Sequence, residues 1–148
     1  MDEKYMSLAL EEAKKAAQIG EVPIGAVIVR RGEVIASAHN LRELTSDATA
    51  HAEILAIKEA CKILGGWHLT DCTLYVTLEP CPMCAGAVIN ACIDRVVFGA
   101  FDHRDGSMGS VADLPSLPYS RRPECIGGVM ETECKAILSE FFKKLRNK

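Results

Sequence analysis

The chain has 148 residues, of which 49% are hydrophobic, 25% charged and 5% aromatic, and it carries a net charge of −3. This length suits one domain over residues 1–148 with a core large enough to need no staple. The composition excludes a disordered tail and a collagen-like chain, and the charge excludes indiscriminate clamping of a nucleic-acid backbone through a basic surface. The longest apolar run, Val22 to Val29, is far short of the roughly 20 residues of a membrane helix. The charged, amphipathic start MDEKYMSLALEEAKK has no signal-peptide pattern. The expectation is a cytoplasmic protein with no membrane partner.

Met6, Leu10, Ala13 and Ala17 recur at the spacing of one helix face over about residues 3–19, and Gly20 ends that helix. Ile24 to Arg30 is apolar on both faces and reads as a central strand covered twice. Arg31-Gly32 is a turn signal, and Glu33 to Ala38 returns as a second strand. Asn40 to Thr49 reads as a polar loop, and Ala50 to Leu64 as a helix stopped by Gly65-Gly66. Thr73 to Leu78 is a strand, Pro82 to Ala91 a helix with proline in its first turn, and Arg95 to Gly99 another strand. Asp102 to Pro123 is irregular, Ile126 to Met130 reads as a fifth strand, and Glu131 to Arg146 as the closing helix. The order predicts an α/β fold of three layers, α/β/α, around a mixed central sheet of about five strands. The strand-helix-strand units are expected to pair their strands in parallel.

Seven cysteines in a chain without an export signal point to metal binding or buried thiols rather than disulfides. Cys61, Cys92 and Cys134, in helix-like or apolar context, are expected in the core. Cys81 and Cys84 differ. They stand i and i+3 at a predicted helix start, where both lie on one side and the positive helix end favours thiolate. This spacing suits a soft claw for zinc and equally a dithiol–disulfide redox site. His51 and Glu53 favour the metal. Two residues apart, they share a site only in the first turn of a helix, and that is where Thr49-Ala50-His51-Ala52-Glu53 falls. If the strands before the two helices are neighbours, both helix starts meet at one sheet edge, where α/β clefts form. His51, Cys81 and Cys84 are then three zinc ligands with the fourth position open, the mark of a catalytic rather than a structural site. Glu53, not needed as a ligand, is free to move protons.

H-x-E followed by P-C-x-x-C is the signature of zinc nucleobase deaminases. Nearly the whole chain resembles the cytidine-deaminase-like superfamily and, more narrowly, its bacterial tRNA-specific adenosine deaminases. The matching stretches are Glu21 to Val27, Asn40, Asp47 to Glu53, Thr77 to Ala87, Arg95 to Ala100 and Leu138 to Phe142. Ala48 departs from the family, where many members have proline; that touches loop shape and not chemistry. The resemblance implies one zinc ion per chain, a homodimer, and a tRNA anticodon stem-loop as partner. Its reaction is the hydrolysis of the wobble adenosine to inosine, with Glu53 passing the proton of the attacking water to ring N1. It also implies base contacts from Asn40, the backbone N–H of Ala52 and the carbonyl of Val27 or a neighbour. RNA contacts fall to the loop of Asp102, His103 and Arg104, and to Phe142 or Phe141 stacking on a loop base. The small residues Ala85, Ala87, Val88 and Ala91 suit packing between subunits or against the chain's own sheet. Arg121-Arg122 and the basic end from Lys143 to Lys148 could meet phosphates or simply close a solvated helix. The zinc motif itself leaves open a deaminase of free guanine, cytidine or deoxycytidylate, and the CxxC alone leaves open a thiol redox protein.

Overall fold

The structure, a computed structural model, describes residues 1–147; Lys148, the last of the expected basic tail, lies outside the described residues. The elements are α1 (Asp2–Gln18), β1 (Gly25–Arg30), β2 (Glu33–His39), α2 (Arg42–Thr45), α3 (Ala52–Leu64), β3 (Cys72–Leu78), α4 (Pro82–Asn90), β4 (Arg95–Ala100), β5 (Glu124–Ile126) and α5 (Glu131–Arg146), with a 3-10 turn at Leu114–Ser116. The five strands form one mixed sheet in the order β2-β1-β3-β4-β5. Among the described residues no helix is long and apolar enough to cross a membrane.

Side-chain alternation along the strands builds two cores. Ala26, Ile28, Leu74, Val76, Val96 and Phe98 face α3 and α4. Val27, Val29, Tyr75 and Val97 face the other way, onto Tyr5, Met6, Ala9 and Leu10 of α1 and Cys134 of α5. A sheet covered on both faces is what the apolar β1 and β3 require. The close approach of α1 to β1 needs Gly25. A Cβ there would lie 2.0 Å from the Ala9 carbonyl oxygen and 2.5 Å from the Ala13 nitrogen, both backbone atoms. At the helix start, the Asp2 carboxylate takes two hydrogen bonds from the Arg95 guanidinium (2.9 and 2.7 Å) and one from the Tyr75 hydroxyl (2.8 Å). The Arg95 bond holds Asp2 below the usual carboxylate range.

The topology departs from the expected neighbours. β3 and β4 pair in parallel, as do β4 and β5. The strands before α3 and α4, which are β2 and β3, do not touch: β1 runs between them, antiparallel to both. The cause is local. Arg31 and Gly32 both have positive φ (51° and 79°), the signature of a two-residue hairpin turn, so β2 folds straight back on one edge of β1. β3 takes the other edge. Helix α3 returns across β2 and β1, and its start still arrives beside that of α4.

Other expectations changed as well. The expected polar loop contains α2, because the buried Glu21 carboxylate accepts the N–H groups of Glu43 (3.1 Å) and Leu44 (2.6 Å), a cap supplied from 22 residues away that no local pattern reveals. β5 stops at Ile126, since a Cβ on Gly127 would strike the Phe98 ring at 2.4 Å and Gly128 turns at φ +89°. Cys92 is not a core residue. It sits after α4 at φ +59°, half-exposed, its thiol near the Asn90 carbonyl. Cys61 is only partly buried, and Cys134 is fully so. His39 is held by Glu12, its Nδ1 being 3.0 Å from Oε1.

Candidate active site and metal centre

Two helix starts make the site. His51 and Cys81 are the N-caps of α3 and α4, each extended (ψ 152° and 175°), and neither side chain caps its own helix. Both are therefore free to turn toward each other. Pro82 begins α4 at the position where its missing N–H costs nothing. Cys84 follows one turn on and is fully buried. The sequence placed the start of α3 two residues early; the later start is what puts His51 at the cap and Glu53 in the first turn.

The donors converge. The Sγ atoms of Cys81 and Cys84 lie 3.7 and 3.5 Å from His51 Nδ1. All three ligand atoms fall within 4.8 Å of one another. Tetrahedral zinc with Zn–S about 2.3 Å and Zn–N about 2.0 Å places sulfur and nitrogen about 3.5 Å apart. The donor set thus fits zinc in chemistry and in spacing, and three protein donors leave one tetrahedral position for another ligand. Both helix dipoles present their positive ends to the thiols. A hydrogen bond from Cys84, against the cost of burial and with help from His51, pulls the Cys81 thiol down to about 4. Cys84, the donor of that bond and deeply buried, is held high. The hydrogen bond to Cys81, opposed by burial and aided by the Glu53 charge, raises His51.

Glu53 is outside the ligand group but beside it. Its carboxyl is buried, and burial pushes it up to about 7 against the pull of its own backbone N–H and His51. With His51 and Cys81 it opens onto a cleft of about 700 Å³, a size that suits a small ligand or a single base.

Of the other sequence-expected residues, Asp102, Arg104 and Phe142 line this cleft, and His103 does too. Phe142 is 40% exposed, whereas Phe141 turns to a groove between α1 and α5. Ala52 opens α3 between His51 and Glu53 and is fully buried. Asn40 is 3% exposed, its N–H donating to the Ile24 carbonyl (3.1 Å), and among the described residues its Oδ1 has no partner. Val27 lies in mid-β1, paired with Ser37 and Tyr75, and its side chain faces the α1 core. From the same segment Val22 and Ile24 line the cleft. Sequence reasoning missed Arg42, which rides on the unexpected α2, and Glu79, whose burial only the fold reveals. An acid closing an apolar strand, Leu78-Glu79-Pro80, was the available signal for the second.

A family model described as MafB19-like deaminase matches residues 1–146. The chain is 55% identical over 148 residues to a tRNA-specific adenosine deaminase of Bacillus subtilis (strain 168), covering 99% of this chain and 92% of that one. A protein of the same name from Aquifex aeolicus (strain VF5) is 49% identical over 148 residues, covering 98% and 96%. A solved structure from a study of A-to-I editing by tRNA:A34 deaminases at the wobble position of transfer RNA superposes with a TM-score of 0.88 at 45% identity, covering 91% of this chain and 99% of the other. With agreement of that extent along both lengths, the chain belongs to the MafB19-like deaminase family, alongside the bacterial tRNA-specific adenosine deaminases.

Proposed function

We propose that this protein hydrolyses adenosine to inosine at the wobble position of a tRNA anticodon, with one zinc ion held by His51, Cys81 and Cys84. The observation that carries the chemistry is the convergence of one imidazole and two thiols at zinc spacing beside a buried carboxyl that the ligand set does not use. The substrate rests on relatives that share about half their residues with this chain and are named for it. Zinc, when bound, supplies Lewis-acid activation of the attacking water.

The chain's own residues do the rest. Glu53 takes a proton from the attacking water, delivers it to N1 of the adenine, and then assists departure of the C6 amine as ammonia. Asn40, whose Oδ1 is buried and unpartnered among the described residues, supplies a hydrogen bond to the base. The backbone N–H of Ala52, at the start of α3, faces the same end of the helix as the ligands. A base can reach this depth only if flipped from its loop. Asp102 and Arg104 of the cleft meet the flanking backbone, joined by Arg42, which lines the same cleft. Phe142 offers an exposed ring on which a neighbouring base can stack.

An anticodon stem-loop with adenosine at the wobble position is expected to yield inosine and ammonia, while free guanine and cytidine are left intact. Ammonia from guanine or cytidine, with none from the stem-loop, would reassign the substrate. A protein without zinc whose Cys81 and Cys84 close reversibly to a disulfide would instead be a thiol redox protein. A tRNA substrate fits a cytoplasmic protein.

A homodimer is part of the same reading. Ala85 and Val88 of α4 pack into the chain's own core, but Ala87 turns outward. It joins Ile54, Ile57 and Trp67 along a shallow apolar groove between α3 and α4, with Trp67 62% exposed. Sedimentation of the wild type is expected at twice the chain mass, and Ala87→Arg is expected to shift it to monomer. A wild type that sediments as a monomer at micromolar concentration would remove the dimer.

A further inference from the structure

We infer that Glu79 is a positioning residue: its buried carboxylate straps the loop of residues 102–110 to the metal-bearing turn and so sets where the RNA-facing side chains stand relative to the reacting base. This rests on the function proposed above and adds a residue to it.

The Glu79 side chain is 1% exposed, two residues before Cys81. A buried carboxylate is costly unless its lone pairs are met. Here every donor comes from one loop. Oε1 accepts the N–H of Asp102 (3.0 Å) and the Ser110 hydroxyl. Oε2 accepts the N–H groups of Met108 (3.0 Å) and Ser110 (3.1 Å). The neighbouring backbone adds two bonds. Glu79 N–H donates to the Ala100 carbonyl (2.9 Å), and Ser107 N–H donates to the Pro80 carbonyl (2.9 Å). At Gly106 the loop lies so close that a Cβ would stand 2.5 Å from Glu79 Cδ and Oε2.

The geometry has a mechanical meaning. The loop cannot swing away without leaving a buried charge unpaired, so it is fixed although it contains little regular structure. Its cleft-lining residues Asp102 to Asp105 are therefore held at a set distance from Cys81, the metal ligand two residues beyond the anchor. The strap's hydrogen bonds involve none of His51, Glu53, Cys81 and Cys84. Its contribution is preorganisation of the substrate-binding wall, which is read in KM before kcat.

Two variants test this, each in the zinc-loaded protein. Glu79→Gln keeps the shape and turns an amide NH2 toward two donors. Gly106→Ala keeps the carboxylate and every cleft side chain but pushes the loop off its anchor. Both are expected to raise KM for the anticodon stem-loop about tenfold or more while kcat stays within about threefold. Zinc content should be that of the wild type, and backbone hydrogen exchange over residues 102–110 should quicken. The exchange measurement needs no substrate, so it decides the strap even if the stem-loop proves not to be turned over. Wild-type exchange in both variants would overturn the inference, as would zinc loss with a collapse of kcat in Glu79→Gln, which would assign Glu79 to the folding of the metal turn.

Discussion

Glu53→Gln is expected to lower kcat on the anticodon stem-loop by about 10³-fold or more while zinc content, fold and stem-loop binding persist. The argument begins with what the side chain does not do. It is not among the three donors, so its loss removes no ligand. Glutamine has nearly the same shape and carries no charge. Burial opposes ionisation of this carboxyl, and a neutral amide of the same shape leaves no unpaired charge in its place. What the amide cannot do is accept a proton from water and hand it to N1. Without that shuttle no side chain in the first turn of α3 carries the proton from water to N1. The measurements are inosine formation in a single turnover, metal analysis and stem-loop affinity. Activity within tenfold of the wild type would take Glu53 out of the proton path, and loss of zinc would place it in the ligand set.

The grouping of His51, Cys81 and Cys84 as a candidate metal site was legible from sequence because each of its parts is local. Pro82 and the i, i+3 thiols report a helix start, and His51 with Glu53 two residues on can share a site only at such a start. Convergence of the two starts was not local, and the route expected for it was mistaken: β2 and β3 are separated by β1, and the meeting comes from α3 crossing back over the hairpin. The walls of the cleft were the least legible. α2 exists because Glu21 caps it from a distant segment, and the loop 102–110 is ordered because Glu79 binds it. A buried acid that organises another segment's backbone leaves no periodicity to read. Within the run Glu21 to Val27, only the topology tells that Val22 and Ile24 line the cleft while the Val27 side chain lies inside the sheet.

Cys84→Ala tests the ligand set itself, and it is expected to cost the protein both its metal and much of its stability. Removing one of three protein donors leaves His51 and Cys81, too few to hold zinc against water and buffer, so zinc should fall from one per chain to a trace. Metal that binds the folded state and not the unfolded one stabilises it by linkage, about 4 kcal/mol when free zinc exceeds its dissociation constant a thousandfold. The substitution also empties the space of a sulfur atom in a fully buried position, a smaller cost of about 1 kcal/mol. The two contributions separate with a chelator. In its presence the wild type loses the metal term and the variant has none to lose, so the gap between them should shrink from several kcal/mol to about the cavity cost alone. Denaturant titrations with and without chelator read this directly. A variant that keeps stoichiometric zinc, or a gap unmoved by the chelator, would mean that the ion is held elsewhere and that the pairing of residue 84 with residue 51 serves packing alone.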